Sequence, residues 1–179
     1  MPTAATTYNP IAKSLHWLMA LLIIGLWSVG MVMEDMPKGD FRSQVIGLHK
    51  AIGVVVLLLA MVRLTWRLTN PPPELPATMP TLERLGAKLG HLALYTLMIV
   101  MPIDGILMTQ AKGRVVDVFG FVLPTMVEKN DELKHLFSEG HEAMGLALAV
   151  VLVVHVAAAI RHHVMLKDDV LKRMLPGRA

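Results

Sequence analysis

Eight histidines and no cysteine set the metal chemistry open to this 179-residue chain. Without thiolates, disulfides, iron–sulfur clusters and thiolate-bound haem are excluded, so any metal must be held by His, Met or carboxylate. Four of the histidines, His16, His49, His141 and His155, lie on or at the edge of apolar stretches. His141 and His155 are fourteen residues apart. On a helix, fourteen steps of about 100° return to within about 40° of the starting face, with a rise of ~21 Å. One helix therefore carries two imidazoles on one side, at depths near opposite halves of a bilayer. Ionisable residues inside membrane helices are costly and mark functional sites by default.

Depth supplies each of the two with a partner. His141 precedes Glu142 at the outer end of its apolar stretch, and His49 precedes Lys50 at the outer start of another. His16 follows Lys13 by three residues, and His155 precedes Arg161 by six, so both lie toward the opposite, inner face. Two neutral imidazoles from different helices can clamp a haem b between them, one on each face of the porphyrin. The pairs predict two haem b groups stacked across a membrane, on His49 with His141 and on His16 with His155. Gly53 and Gly145 lie one turn deeper than His49 and His141, and Ala159 and Ala20 one turn from His155 and His16. Small residues there leave room for a ring edge, although they are common in any membrane-helix interface. For a lone histidine, hydrogen-bonded packing is as good a reading as ligation. The matched depths favour the cofactor.

The elements that must position these residues are long and apolar. The chain is 54% hydrophobic. Its uncharged runs after Lys13, Lys50, Lys88 and Glu142 are 20, 12, 15 and 18 residues long. A span needs about 20 mostly apolar residues. The second run reaches that length if it begins near Ser43, and the third if it continues through Asp104. The expected fold is an all-α integral membrane four-helix bundle, up-down-up-down, as one domain over 1–179, with haems between helices. The helices are expected at about 11–33, 43–66, 82–108 and 139–163. The first apolar run contains His16, Trp17 and Trp27 and ends in Glu34-Asp35, which reads as a mature helix rather than a signal peptide. The Asn70-Pro71-Pro72-Pro73 run forbids helix and makes 69–80 a linker. Pro102 is expected to kink the third helix. Residues 109–138 form the longest extramembrane segment, and Lys167–Ala179 a basic tail.

With four spans both termini share one side, which carries ten of the seventeen Lys and Arg residues. The positive-inside rule then puts both termini in the cytoplasm. Nucleic acid is a poor explanation for a net charge of +3 whose basic residues flank membrane spans.

His162 competes with His155 for the inner ligand, since it lies seven residues on and shares the same stripe. It should sit ~10 Å lower, at the interface. With His163 it is a candidate for proton uptake or a quinone headgroup. His91, one turn from Tyr95, has no depth-matched partner, and a structural role and a quinone-site role compete. His135 reads as solvated. Arg42, Lys50, Lys112 and Arg114 are placed to neutralise haem propionates or attract an anion, with ordinary interface anchoring the bland alternative. The Lys112-Gly113-Arg114 cluster is the best candidate for anion access. Asp104 either relays protons or caps the outer end of the third helix.

Several segments in order resemble the bacterial cytochrome b561 family over nearly the whole chain. They are Ser14-Leu15-His16-Trp17, Gly47-Leu48-His49 through Gly53, Arg63-Leu64 with Arg67-Leu68, and Leu89-Gly90-His91 with Tyr95. Met101-Pro102 with Gly105, His141-Glu142, His155, His162-His163 and Arg173-Met174-Leu175-Pro176 continue the match. The resemblance implies haem b on His16 with His155 at the cytoplasmic side and on His49 with His141 at the periplasmic side, which prefers His155 over His162. It implies a multi-pass protein of the bacterial inner membrane. It is strongest to members that oxidise periplasmic superoxide to oxygen and reduce ubiquinone. Lys112 stands where those members carry a basic residue before a glycine, while the rest of that outer loop departs from them. The rival expectation is a cytochrome subunit that docks a periplasmic dehydrogenase or hydrogenase and relays its electrons. A histidine-lined metal transporter is the remaining alternative.

Overall fold

The computed structural model describes residues 7–176. Residues 1–6, and Gly177, Arg178 and Ala179 of the basic tail, lie outside the described residues. Four long helices account for most of the rest: α1 (Pro10–Met33), α2 (Asp40–Thr69), α3 (Thr81–Ala111) and α4 (Asp131–Arg161). Each is long and apolar enough to cross a membrane. Leu21, Leu58, Leu92, Leu146 and Val153 are exposed on them. In a bilayer such side chains face lipid, while the helical backbone satisfies its own hydrogen bonds.

The helix ends follow local chemistry. Pro10 occupies the first turn of α1, where its missing N–H costs nothing, and the Asn9 side chain accepts from Ala12 N at 2.9 Å. The linker after α2 is held by Arg84, which donates to the carbonyls of Pro76, Ala77 and Met79. Helix α4 corrects the sequence-based expectation. It begins at Asp131 rather than near 139. Asn130 caps it by accepting from Leu133 N at 3.0 Å, and Asp131 and Glu132 sit in its first turn. Capping and the helix dipole thus carry the acidic-basic stretch into the helix, beyond the apolar run that marks the span. Helices α2 and α3 also extend a turn or less past their expected ends, to Asp40, Thr69 and Ala111.

Antiparallel order shows in contacts between distant parts of the chain. Trp27, late in α1, donates to the Gly145 carbonyl, early in α4, at 3.1 Å. At the other face Arg161, ending α4, meets Glu83, starting α3, at 3.1 Å. Consecutive helices pack directly, α1 on α2, α2 on α3 and α3 on α4. The tightest core belongs to the first three, around Met19, Val56, Ala60 and Met98. Helix α4 contributes only Leu148 to the buried apolar set and makes no comparably close approach to α1 or α2.

The outer loop is ordered around two features. A two-residue hairpin pairs β1 (Asp117–Val118) with β2 (Phe121–Val122). Its turn, Phe119-Gly120, has φ of 54° and 92°, the positive pair that a tight hairpin matching strand twist requires. The buried Gln110 pins the following segment, donating to Pro124 O at 2.8 Å and accepting from Met126 N at 2.9 Å. After α4, a π-helical turn (His162–Leu166) ends at Lys167 in the left-handed conformation, and Lys172–Met174 forms a short 3-10 turn. Trp17 donates to Met174 O at 2.9 Å, and Arg173 donates to Glu74 O at 2.6 Å, so the tail lies across the base of the bundle.

Candidate cofactor sites

At the inner end, α1, α3 and α4 bring three imidazoles together. The rings of His16 and His155 have centroids 6.2 Å apart, and those of His91 and His155 are 5.8 Å apart. Two imidazoles that ligate one iron from opposite faces, with Fe–N bonds of ~2 Å, have ring centres roughly 6 Å apart. His16 and His155 match that spacing, and so do His91 and His155, so spacing alone does not choose between them. The sequence offers His91 no partner at its depth; the fold places it against His155. Arg63 Nη2 lies 2.9 Å from His16 Nδ1. A guanidinium only donates, so Nδ1 accepts and the ring proton sits on Nε2. Ligation through Nε2 requires Arg63 to leave the ring. A second arginine, Arg67, lies 5.9 Å over the Tyr95 ring. Arg63, Arg67 and Tyr95 line one cavity with Tyr8, Trp66 and Met174.

At the outer end, His49 on α2 and His141 on α4 lie within electrostatic range of each other. Glycines of the neighbouring helices accommodate the two imidazole rings. A Cβ at Gly30 of α1 would come within 3.6 Å of His49 Cε1, and one at Gly105 of α3 within 3.1 Å of His141 Cε1. A Cβ at Gly53 would meet nothing within 4 Å, which is open space beside His49, while one at Gly145 would meet Met101 at 3.5 Å. His49 Nδ1 is buried and has no hydrogen-bond partner among the described residues.

The inner ring spacing and the buried His49 Nδ1 fit a planar b-type haem held between helices. Each candidate pair joins α4 to α1 or α2, the helices that α4 does not pack against closely. Among the described residues no group of three or more His, Cys, Asp or Glu closes on a point as a bare-ion site would.

Above the outer pair, Lys112, Arg114, Lys129, Asp131 and Lys134 line a cavity of about 420 Å³. Lys112 and Arg114 are expected from sequence. Lys129 and Lys134 join them, and the Lys129 stem lies so close to Gly113, at φ 72°, that a Cβ there would stand 3.3 Å from it. Burial pulls the Lys112 ammonium below the ordinary lysine pKa; Glu34 opposes this, and Arg114 and Lys134 add to it. Lys50 feels Lys112 and Arg114 as well.

The two histidines at the base part company. His163 is exposed, whereas His162 is 8% exposed and lies between two carboxylates. Its Nδ1 bonds Asp168 Oδ2, and its Nε2 lies 3.8 Å from Glu83 Oε2. Burial pushes the Asp168 carboxyl up, but the bonds from His162 and Val170 N outweigh it and hold the group below the usual range. His135 is exposed on the first turns of α4.

Fold and site together define a multi-pass four-helix membrane protein whose imidazoles gather at two depths of the bundle. The model of the prokaryotic cytochrome b561 family matches residues 7–177, and the chain belongs to that family. It is 34% identical over 94% of its length to cytochrome b561 homolog 2 of Escherichia coli, covering 90% of that protein. It is 31% identical over 96% of its length to a probable superoxide oxidase of Yersinia pestis, covering 97% of it. Cytochrome b561 homolog 1 of Escherichia coli is 27% identical over 92% of the chain. Membership carries b-type haem and electron transfer within a bacterial membrane.

Proposed function

We propose that this chain is a di-haem oxidoreductase that passes electrons from periplasmic superoxide to ubiquinone. His49 and His141 hold the outer haem b, and His16 and His155 the inner one, with both termini in the cytoplasm. When bound, the two haems supply one-electron carriers in series between the faces of the membrane. Two superoxide anions lose one electron each and leave as oxygen; a quinone gains both electrons and two protons to become quinol. The residues bind, orient and attract, and no side chain forms a covalent intermediate.

The observation that carries the donor assignment is the basic cavity beside the outer histidines. Lys112, Arg114, Lys129 and Lys134 face it against the single acid Asp131. A concave surface of one charge sign raises the local concentration of a small anion and its rate of arrival. The likeness to the probable superoxide oxidase supports the same donor. At the inner end, the contact of His91 with His155 supports a role for His91 at a quinone headgroup. The contacts of His162 with Asp168 and Glu83, with exposed His163 beside it, support a role in proton uptake.

One observation favours the docking alternative. Val115, Phe119, Phe121 and Met126 are each more than half exposed on the outer loop, an apolar surface suited to a periplasmic redox partner. The discriminating experiment is an anaerobic pulse of superoxide to the purified holoprotein, followed by haem absorbance with and without quinone. Rapid haem reduction, reoxidation by quinone and loss of both in His49→Ala are expected. No reduction of the wild type by superoxide would overturn the donor assignment in favour of docking.

A further inference from the structure

Asp104 of α3 lies in the membrane-spanning part of the bundle with its side chain 12% exposed. Its Oδ2 is 3.3 Å from His141 Nδ1. Both atoms are buried, and as they stand neither makes a hydrogen bond, to the other or to any described residue. A carboxylate among apolar helices is costly unless it is paired. Among the described residues its ion-pair contact is with the outer imidazole.

The backbone around the two groups is shaped for their meeting. Gly105 follows Asp104, and a Cβ there would stand 3.1 Å from His141 Cε1. Gly140 precedes His141, and a Cβ there would stand 3.3 Å from Asp104 Oδ1. Each partner thus has a glycine beside it that clears space for the other. Both contacts are tighter than ordinary van der Waals separation, so an alanine at either position would push the pair apart.

We propose that Asp104 is a positioning residue for the outer haem. Once the two atoms close from 3.3 Å to hydrogen-bond geometry, it accepts the Nδ1–H of His141, fixes the tautomer with Nε2 free for iron, and lowers the reduction potential of that haem. A ligating histidine that donates its second N–H to a carboxylate is oriented by it and becomes a more basic ligand. A more basic ligand and a nearby negative charge both favour ferric over ferrous iron. The device is one-sided. Among the described residues His49 Nδ1 has no hydrogen-bond partner, and at the inner end His16 Nδ1 faces the cationic Arg63. Asp104 therefore sets the outer potential apart from the inner one. The inference rests on His141 being a haem ligand.

The test is an anaerobic redox titration of the purified holoprotein, with low-spin ferric haem signals followed by electron paramagnetic resonance. Wild type is measured first; if it lacks a second haem, the di-haem reading fails before Asp104 is addressed. Asp104→Asn is expected to keep both haems and shift the outer ferric/ferrous equilibrium at least tenfold toward ferrous, about 59 mV upward for one electron. The inner haem stays unchanged. Gly140→Ala, which retains the carboxylate but displaces it, is expected to move the same potential in the same direction by less. An outer potential and ferric signal unchanged in Asp104→Asn would overturn the proposal. If Asp104→Asn loses the outer haem, Gly140→Ala decides: an upward shift sustains the proposal and an unchanged potential overturns it.

Discussion

Replacing Gly105 by alanine separates a helix-propensity effect from a steric effect on one ring. In a helix interior alanine is favoured over glycine by roughly 1 kcal/mol. At Gly105 the added methyl would stand 3.1 Å from His141 Cε1, so the ring must yield by a few tenths of an ångström. Overpacking of this kind costs about 1–3 kcal/mol. The net penalty is up to about 2 kcal/mol, and it falls on the outer haem because His141 moves with the ring. With 1.4 kcal/mol per factor of ten, outer-haem affinity is expected to fall by up to roughly 30-fold. Gly25→Ala is the matched control, since a Cβ there meets nothing within 4 Å. The assay is haem content per chain after dilution into haem-free detergent, resolved into outer and inner haem by their reduced spectra. Gly25→Ala should match wild type, and Gly105→Ala should lose outer haem faster while keeping the inner one. Equal retention in the two variants would refute the steric reasoning, and equal loss of both haems would show that the fold, not the ring, is disturbed.

Lys112→Gln should slow superoxide-driven haem reduction several-fold at low salt, with the difference from wild type shrinking as salt screens the cavity. In the wild type the Lys112 charge is present below its lowered pKa and lost as pH rises through it. The reduction rate should therefore decline on the alkaline side, starting below the ordinary lysine range, and Lys112→Gln should remove that decline. Asn130→Ala removes the cap that starts α4 and should lower thermal stability by about 1 kcal/mol, read as a downward shift of the melting temperature. An unchanged melting temperature would mean that Asp131 and Glu132 start the helix without it.

The depths of the histidines were legible because charged residues bracket the apolar runs. Lys13, Lys50, Glu142 and Arg161 mark where each span meets water, and counting inward from them places each imidazole. What lies sideways of an imidazole was not legible. Gly30, Gly105 and Gly140 matter through helix azimuth and the approach of a neighbouring helix, which no single-helix periodicity contains. The same limit hid the meeting of His91 with His155 and of Arg63 with His16. That Lys129 and Lys134 join Lys112 and Arg114 was not legible either, because it depends on how the outer loop folds back around Gln110. The true start of α4 did have a signal, Asn130 followed by two acids, but the apolar run begins later and masked it.

The claim that two haem sites share α4 is tested most directly by haem counting. Purified wild type is predicted to carry two b haems per chain, His141→Ala to keep only the inner one, and His155→Ala only the outer one. One haem per chain in the wild type, or loss of the same haem in both variants, would contradict it.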